Sequence, residues 1–463
     1  MKYVSTRGQA PVLDFADVLL AGLATDGGLY VPEAWPDLPP GWDEPQPYPD
    51  LAADVLWPYV EGSPIGRADL DAMVAEAYAT FDHPDVCPLV EIEPGLHVVE
   101  LFHGPTLAFK DVALQLVGRL FDHELTRRGE RATVFVATSG DTGSAAIAAC
   151  VGRPALDIVV LHPAGRVSDV QRRQMTTVDA PNVHNVALEG TFDDCQDLVK
   201  TLFADAALRR RIGLSAMNSI NWARVAAQIV YYASAAAAVG ACDVAVPTGN
   251  FGNVFAGWIA RHGGAPIERL VIGSNSNDIL TRWARTGELA QLGVVPTLSP
   301  SMDIQVSSNH ERLLFELLGR DGPATAELMG RFRGVGAVEA PADPTFVAAS
   351  LDDAATLDVI ADLYHRTGYL ADPHTAVGIG AARRCRADDR GAAERPVVCM
   401  ATAHPAKFPD AVEQATGVRP PLPDHLADLF DRPERYDVLP ADAAAVRAHI
   451  ERCVAPSPSG PRP

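Results

Sequence analysis

Beyond residue 100 the chain alternates short runs rich in Val and Ile with stretches of helical spacing, and this rhythm constrains the fold more than any other feature. The apolar runs at 133–137, 156–161, 183–188, 244–247, 270–273 and 397–401 read as strands. The stretches at 144–151, 167–176, 192–203, 222–239 and 254–261 read as helices. Continuous apolar strands separated by helices form parallel sheets covered on both faces, so the expected class is α/β. Sites in such folds lie beyond the carboxyl ends of the strands, which singles out the loop after each run. At 463 residues the chain exceeds one ordinary core, and two or three domains are expected.

Residues 1–95 lack this rhythm. They offer helical spacing at 15–23 and 68–80, a turn into an extended piece at 26–32, and a loop rich in Pro and Trp at 36–49. No acid–base or metal pattern appears there, so the region reads as packing, with a cover over a site as the functional alternative. The stretch 343–374 carries no assignable pattern. Residues 411–463 read as a closing helical tail with a mobile Pro/Ser/Gly end from Pro456. The net charge of −21 repels phosphate backbones and anionic lipid, so neither nucleic acid nor membrane is expected as a partner. The greasiest helix, 229–239, is too short to span a bilayer, and the first residues have no apolar core for export. The seven Cys are odd in number and without C-x-x-C spacing, which reads as reduced thiols in a cytoplasmic protein.

Five stretches carry candidate chemistry. In 100–115, the turn His103-Gly104-Pro105-Thr106 precedes Lys110, which stands among Phe102, Leu107 and Phe109. Desolvation there favours a neutral amine able to attack an aldehyde, as in a Schiff-base lysine; the bland reading is a surface Lys opening a helix. After the run at 133–137 comes Thr138-Ser139-Gly140-Asp141-Thr142-Gly143, where small residues at a helix start can take a carboxylate or small phosphate. The competing reading is simple capping by Asp141 or Ser144. After 244–247 comes Thr248-Gly249-Asn250-Phe251-Gly252-Asn253. Its successive N–H groups can ring a phosphate; lacking a following Lys and a G-x-G-x-x-G pattern, it suits a monophosphate rather than a nucleotide, while the bland reading is a tight left-handed turn. Asn218, Ser219 and Arg224 stand at the start of 222–239 and suit either a second anion or plain capping. Beyond 397–401, Thr402 offers one neutral hydroxyl, and His404 is either a general base or structural. No H-E-x-x-H or similar spacing exists, so no metal is expected.

An amine, a phosphate cradle without a P-loop Lys and a lone hydroxyl are together what pyridoxal phosphate requires. At this point the chain resembles the threonine synthases. The resemblance runs from about residue 1 to 450 and rests on six motifs in order. They are Ser5-Thr6-Arg7-Gly8 with Asp26-Gly27-Gly28-Leu29-Tyr30-Val31-Pro32, His103 to Asp111, Thr138 to Gly143, Asn218-Ser219-Ile220-Asn221, Gly249 to Asn253, and Thr402 to Lys407. It is similar to the longer subfamily with an extra N-terminal domain.

The resemblance implies fold type II of the pyridoxal-phosphate enzymes: two doubly wound parallel-sheet domains with the site between them, plus an N-terminal α/β accessory domain. The implied domains are 1–96 (accessory), 97–130 with 241–410 (large, cofactor-binding), 131–240 (small, substrate carboxylate) and 411–463 (tail). It implies that Lys110 holds the cofactor and moves protons at Cα and Cβ. Gly249, Asn250, Phe251, Gly252 and Asn253 hold the cofactor phosphate, Thr402 the pyridine nitrogen, and Asp141 lies near the ring hydroxyl. Ser139, Gly140 and Thr142 take the substrate carboxylate, and Asn218, Ser219, Arg224 and Lys407 the substrate phosphate. The implied reaction converts O-phospho-L-homoserine and water to L-threonine and phosphate, by a monomer or alternatively a homodimer. A dehydratase acting on a hydroxy amino acid is the rival chemistry, and a silent relative that only binds is the rival class; the first would leave Asn218, Ser219 and Arg224 without a role, and the second would be marked by loss of Lys110.

Overall fold

The apolar runs are strands. The computed structural model describes residues 1–138, 140–388 and 395–454. Their contacts divide the chain into two units: residues 1–18, 23–109 and 219–420, and residues 19–22, 110–218 and 421–463.

The first unit is built on a six-stranded sheet. Its order is Phe346–Ser350, Ile267–Ser274, Cys242–Pro247, Val397–Ala401, Leu96–Glu100, Leu89–Glu93. All neighbours are parallel except the last two, which form an antiparallel hairpin. Val397–Ala401 is buried at every position, because helices cover both faces and a polar side chain there would lose water without a partner. Register places Cys399 level with both Ala245 and Val98, so the chain leaves these three strands along one edge, into 248–253, 402–404 and 101–109. The core beneath includes Val98, Ala245, Val271, Val377, Ile379 and Cys399.

The second unit carries a five-stranded, wholly parallel sheet in the order Asp437–Pro440, Val183–Glu189, Leu156–Pro163, Ala132–Ala137, Leu214–Ser215. Leu156–Pro163 is buried throughout, as a central strand must be. The tail is not only helical: Asp437–Pro440 adds a parallel edge strand beside Val183–Glu189, followed by the helix Ala443–Cys453. That edge strand is largely exposed and only four residues long, so it has no apolar signature to read. The end from Pro456 lies outside the described residues.

Several elements had no sequence signal. The stretch 343–374 holds the strand Phe346–Ser350, the helix Asp353–Thr367 and the start of the helix Pro373–Asp388. The loop expected at 36–49 gives way at residue 48 to the helix Tyr48–Val60, which opens with Pro at its first turn and tolerates Pro58 inside. Among the described residues, no helix is long and apolar enough to cross a membrane.

The N-terminal motif is a brace within the first unit. Thr6 donates its hydroxyl to Glu311 at 2.8 Å, and Arg7 grips the same carboxylate with two bonds of 3.0 and 2.9 Å. Glu311 lies in the first turn of the helix His310–Leu317. The residue before that helix, Asn309, donates its amide to the carbonyls of Ser219 and Asn250, both at 3.0 Å. The opening residues therefore steady two of the loops that the sequence singled out.

Candidate active site

In the first unit, the segment before Lys110 is stitched to the segment after the central strand. Leu101 N–H donates to Ala401, Phe109 N–H to Thr402 and His404 N–H to Leu107, at 3.0, 2.9 and 3.0 Å. The left-handed position of the turn is Leu107, at φ 61°, rather than Gly104. Leu107 is 1 % exposed, and its burial offsets the strain of a non-glycine residue there. Lys407 is fully buried and donates its Nζ to the carbonyl of Thr106 at 2.7 Å, closing the turn from the other side.

Thr402 follows Val397–Ala401 directly and is 6 % exposed. Its N–H donates to the hydroxyl of Thr375 at 3.2 Å, and that hydroxyl bonds to the fully buried Asp372. Asp372 also accepts from Nδ1 of His374 at 2.7 Å, and His374 in turn accepts at Nε2 from Ser301 N–H at 3.3 Å. This fixes the proton on Nδ1 of His374 and ties Thr402 to the 300–302 turn beneath Gly249. The hydroxyl of Thr402 itself has no hydrogen-bond partner among the described residues.

The loop 248–253 opens the helix Gly252–His262. A Cβ on Gly249 would stand 2.8 Å from the Ser301 carbonyl, so this position needs glycine for space, while one on Gly252 would stand a tight 3.1 Å from Asn309 Nδ2. The left-handed residue is Phe251, at φ 66°, held by Trp283, His310 and Phe346 around its ring. Asn253 Nδ2 is buried and without a hydrogen-bond partner among the described residues. Free helix-start N–H groups, a glycine lacking room for a side chain and one unspent amide donor fit a phosphate monoester. Arg224 and Ser219 also lie in this unit. Arg224 is 4 % exposed, and burial pushes it down to about 10. The cap of the helix Trp222–Val239 is Asn221, whose Oδ1 accepts from Ala223 N–H, so capping explains neither Asn218 nor Ser219. His404 caps the short turn Pro405–Lys407 through Nδ1, and burial pushes it down to about 4, which suits a structural role.

In the second unit, Lys110 is the first residue of the helix Lys110–Arg128 and is 7 % exposed. Its Nζ donates to Asp141 Oδ2 at 3.1 Å. Asp141 opens the helix Asp141–Cys150, and its Oδ1 accepts from Gln171 Nε2 at 2.8 Å. Ser168 caps the next helix and bonds to Oε1 of Gln171 at 3.0 Å, so the whole amide is engaged. Gly140 has φ 145°, and a Cβ there would stand 2.5 Å from Cδ of Gln171. Glycine is therefore what allows Gln171 to reach Asp141. Neither Asp141 nor Ser144 caps the helix; Thr138 does, its hydroxyl accepting from Gly140 and Gly143 N–H, both at 2.9 Å. Thr142 lies in the same first turn, Asn218 is exposed at the end of the unit, and Ser139 lies outside the described residues. Among the described residues no group of His, Cys, Asp and Glu has the makings of a metal site.

Sequence reasoning passed over Thr138, Gln171, Asn309, Thr375 and Asp372. Gln171 and Asn309 lie 30 to 90 residues from the groups they hold, and no local pattern connects them. Thr138 alone had a signal, since it begins the stretch of small residues 138–143 at a helix start.

Three family models match the chain. "Threonine synthase N terminus" covers residues 2–78, "Pyridoxal-phosphate dependent enzyme" residues 88–403, and "Threonine synthase, C-terminal" residues 375–450. A threonine synthase of Pseudomonas aeruginosa is 51 % identical over 98 % of each chain. A crystal structure of threonine synthase from Brucella melitensis with PLP bound is 49 % identical and superposes with a TM-score of 0.94, covering 98 % of this chain and 99 % of that one. The yeast threonine synthase structure is 36 % identical with a TM-score of 0.91, covering 98 % of both chains.

Proposed function

The chain belongs to the threonine synthase family of pyridoxal-phosphate-dependent enzymes, and from that premise we propose that it converts O-phospho-L-homoserine and water to L-threonine and phosphate through Lys110. The observation that carries this reading is a buried lysine, at the start of a helix, with its amine on a carboxylate that is itself held from behind. The cofactor supplies an aldehyde for that amine and a ring that draws electrons from Cα. Lys110 holds it and then moves protons at Cα and Cβ. Asp141 orients the amine through Oδ2. Gly249, Asn250, Phe251, Gly252 and Asn253 hold the cofactor phosphate, and the unspent hydroxyl of Thr402 meets the ring nitrogen. A neutral hydroxyl leaves that nitrogen without a full proton donor, which favours elimination and replacement over transamination.

Ser139, Gly140 and Thr142 take the substrate carboxylate. Asn218, Ser219, Arg224 and Lys407 take its phosphate. Arg224 and Lys407 are buried cations, and a buried cation is compensated best by an anion. A second anion site supports the synthase over a dehydratase, whose substrates carry no phosphate. We assign the domains as 1–96, 97–130 with 241–410, 131–240 and 411–463. We take the enzyme to be a monomer in the cytoplasm; its seven free thiols, six of them buried, support that compartment.

The test is single-turnover release of phosphate from O-phospho-L-homoserine, with the visible absorbance of the protein followed in parallel. The wild type should be yellow, release phosphate and form threonine, while Lys110→Ala should be inactive. A yellow wild type that releases no phosphate but turns threonine or serine into a keto acid overturns the reading in favour of a dehydratase.

A further inference from the structure

Asn253 presents an asymmetry that the loop alone does not explain. Its side-chain oxygen accepts from two hydroxyls, Tyr231 at 2.6 Å and Tyr232 at 2.8 Å. Tyr232 also stands 2.9 Å from the Asn253 carbonyl. All three side chains are buried, Asn253 being 8 % exposed and the tyrosines 0 and 1 %. The tyrosines are consecutive in the helix Trp222–Val239 and still converge, their rings 5.0 Å apart and tilted by 33°.

A carboxamide has one face that accepts and one that donates, and its neighbours decide which way it points. A separation of 2.6 Å is an O–H···O distance, shorter than an amide N–H usually makes. Two phenols on the oxygen spend both of its lone pairs and turn the nitrogen the other way. That nitrogen is buried and has no acceptor among the described residues. A buried amide donor left without a partner is costly and needs an explanation. It sits in the first turn of a helix, at the end of a loop in which Gly249 has no room for a side chain. Burial pushes both phenols well above their ordinary value of 10.0, so they remain donors at any working pH.

We propose that Tyr231 and Tyr232 are positioning residues that lock the Asn253 amide with its Nδ2 presented as a donor to the cofactor phosphate. This rests on the reading of 249–253 as the phosphate loop. The two tyrosines touch neither the reacting atoms nor, directly, the phosphate. They set the orientation of a group that does.

The experiment compares two probes on full-length apoprotein: pyridoxal 5'-phosphate, and pyridoxal, which has the same aldehyde and ring but no phosphate. Dissociation constants are read from the visible absorbance for wild type, Tyr231→Phe, Tyr232→Phe, the double variant and Asn253→Ala. The double variant and Asn253→Ala should each weaken pyridoxal 5'-phosphate by about 10- to 100-fold, the size of one hydrogen bond to a charged group, and move pyridoxal by less than about 2-fold. Adding Tyr232→Phe to Asn253→Ala should add nothing. Equal weakening of both probes by the tyrosine variants, or of neither while Asn253→Ala is selective, overturns the inference. An unselective Asn253→Ala instead overturns the underlying reading of the loop. If the double variant fails to fold, Tyr232→Phe alone decides, through the same ratio of the two constants.

Discussion

Replacing Gly140 by Ala should break the arrangement around Lys110 in a way that a second substitution can expose. At φ 145° and ψ −80° the residue is outside the regions open to a side chain, a strain of about 1–3 kcal/mol. The new Cβ would also stand 2.5, 2.6 and 2.8 Å from Cδ, Oε1 and Nε2 of Gln171. Gln171 must then withdraw from Asp141, which forfeits a bond to a charged group that contributes about 1.5–3 kcal/mol. The expected cost of Gly140→Ala is therefore about 2.5–6 kcal/mol. In a Gln171→Ala background the obstructing side chain and its bond are already gone, and the cost should fall to the strain alone. The coupling in the double-mutant cycle should be about 1.5–3 kcal/mol. Tryptophan fluorescence is the wrong assay, because all six tryptophans lie in the first unit and these residues lie in the second. Native-state hydrogen exchange in the strands Ala132–Ala137 and Leu156–Pro163 reports the second unit directly. Equal costs of Gly140→Ala in both backgrounds would refute the claim that glycine is there to admit Gln171.

Two further outcomes follow from the geometry. Thr402→Val should lower kcat by about 10- to 100-fold while shifting unfolding by less than about 0.5 kcal/mol, since the hydroxyl is unspent within the protein; steady-state kinetics beside urea unfolding separate the two, and a large loss of stability would contradict the assignment. His103 is pulled down by burial, but its bonds to Glu100 and Asp82, both 2.9 Å, prevail and hold it above its ordinary 6.5. A raised folded value contributes stability that is complete below 6.5 and lost as pH rises through that value, so urea midpoints should fall with pH above 6.5 in the wild type and less so in His103→Gln.

Much of the frame was legible because parallel strands buried on both faces leave uninterrupted apolar runs, and 397–401 and 222–239 coincide with the strand and helix observed. The candidate loops were legible for a related reason: glycines and small polar residues mark places where the backbone must come close to something. The loop 248–253 reads as Gly-rich, yet its left-handed residue is Phe251, which only the surrounding aromatic rings make tenable. The same holds for Leu107 before the lysine. The supports behind each loop were not legible, because Gln171, Asn309 and Thr375 act across long sequence separations from positions with no pattern of their own. The edge strand Asp437–Pro440 was hidden by its exposure.

The strand order of the first unit also governs how the chain must be made. Val397–Ala401 lies between Cys242–Pro247 and Leu96–Glu100, so its two neighbours meet only through a partner synthesised about 300 residues after the earlier of them. At roughly 5–20 residues per second, the ribosome leaves the edge of Leu96–Glu100 unpaired for about 15–60 s. An apolar strand with a bare edge is a template for wrong pairing, so that interval is when the nascent chain is most exposed to mispairing. The first four strands of the second sheet in chain order, complete by Ser215, can assemble long before the central strand of the first emerges.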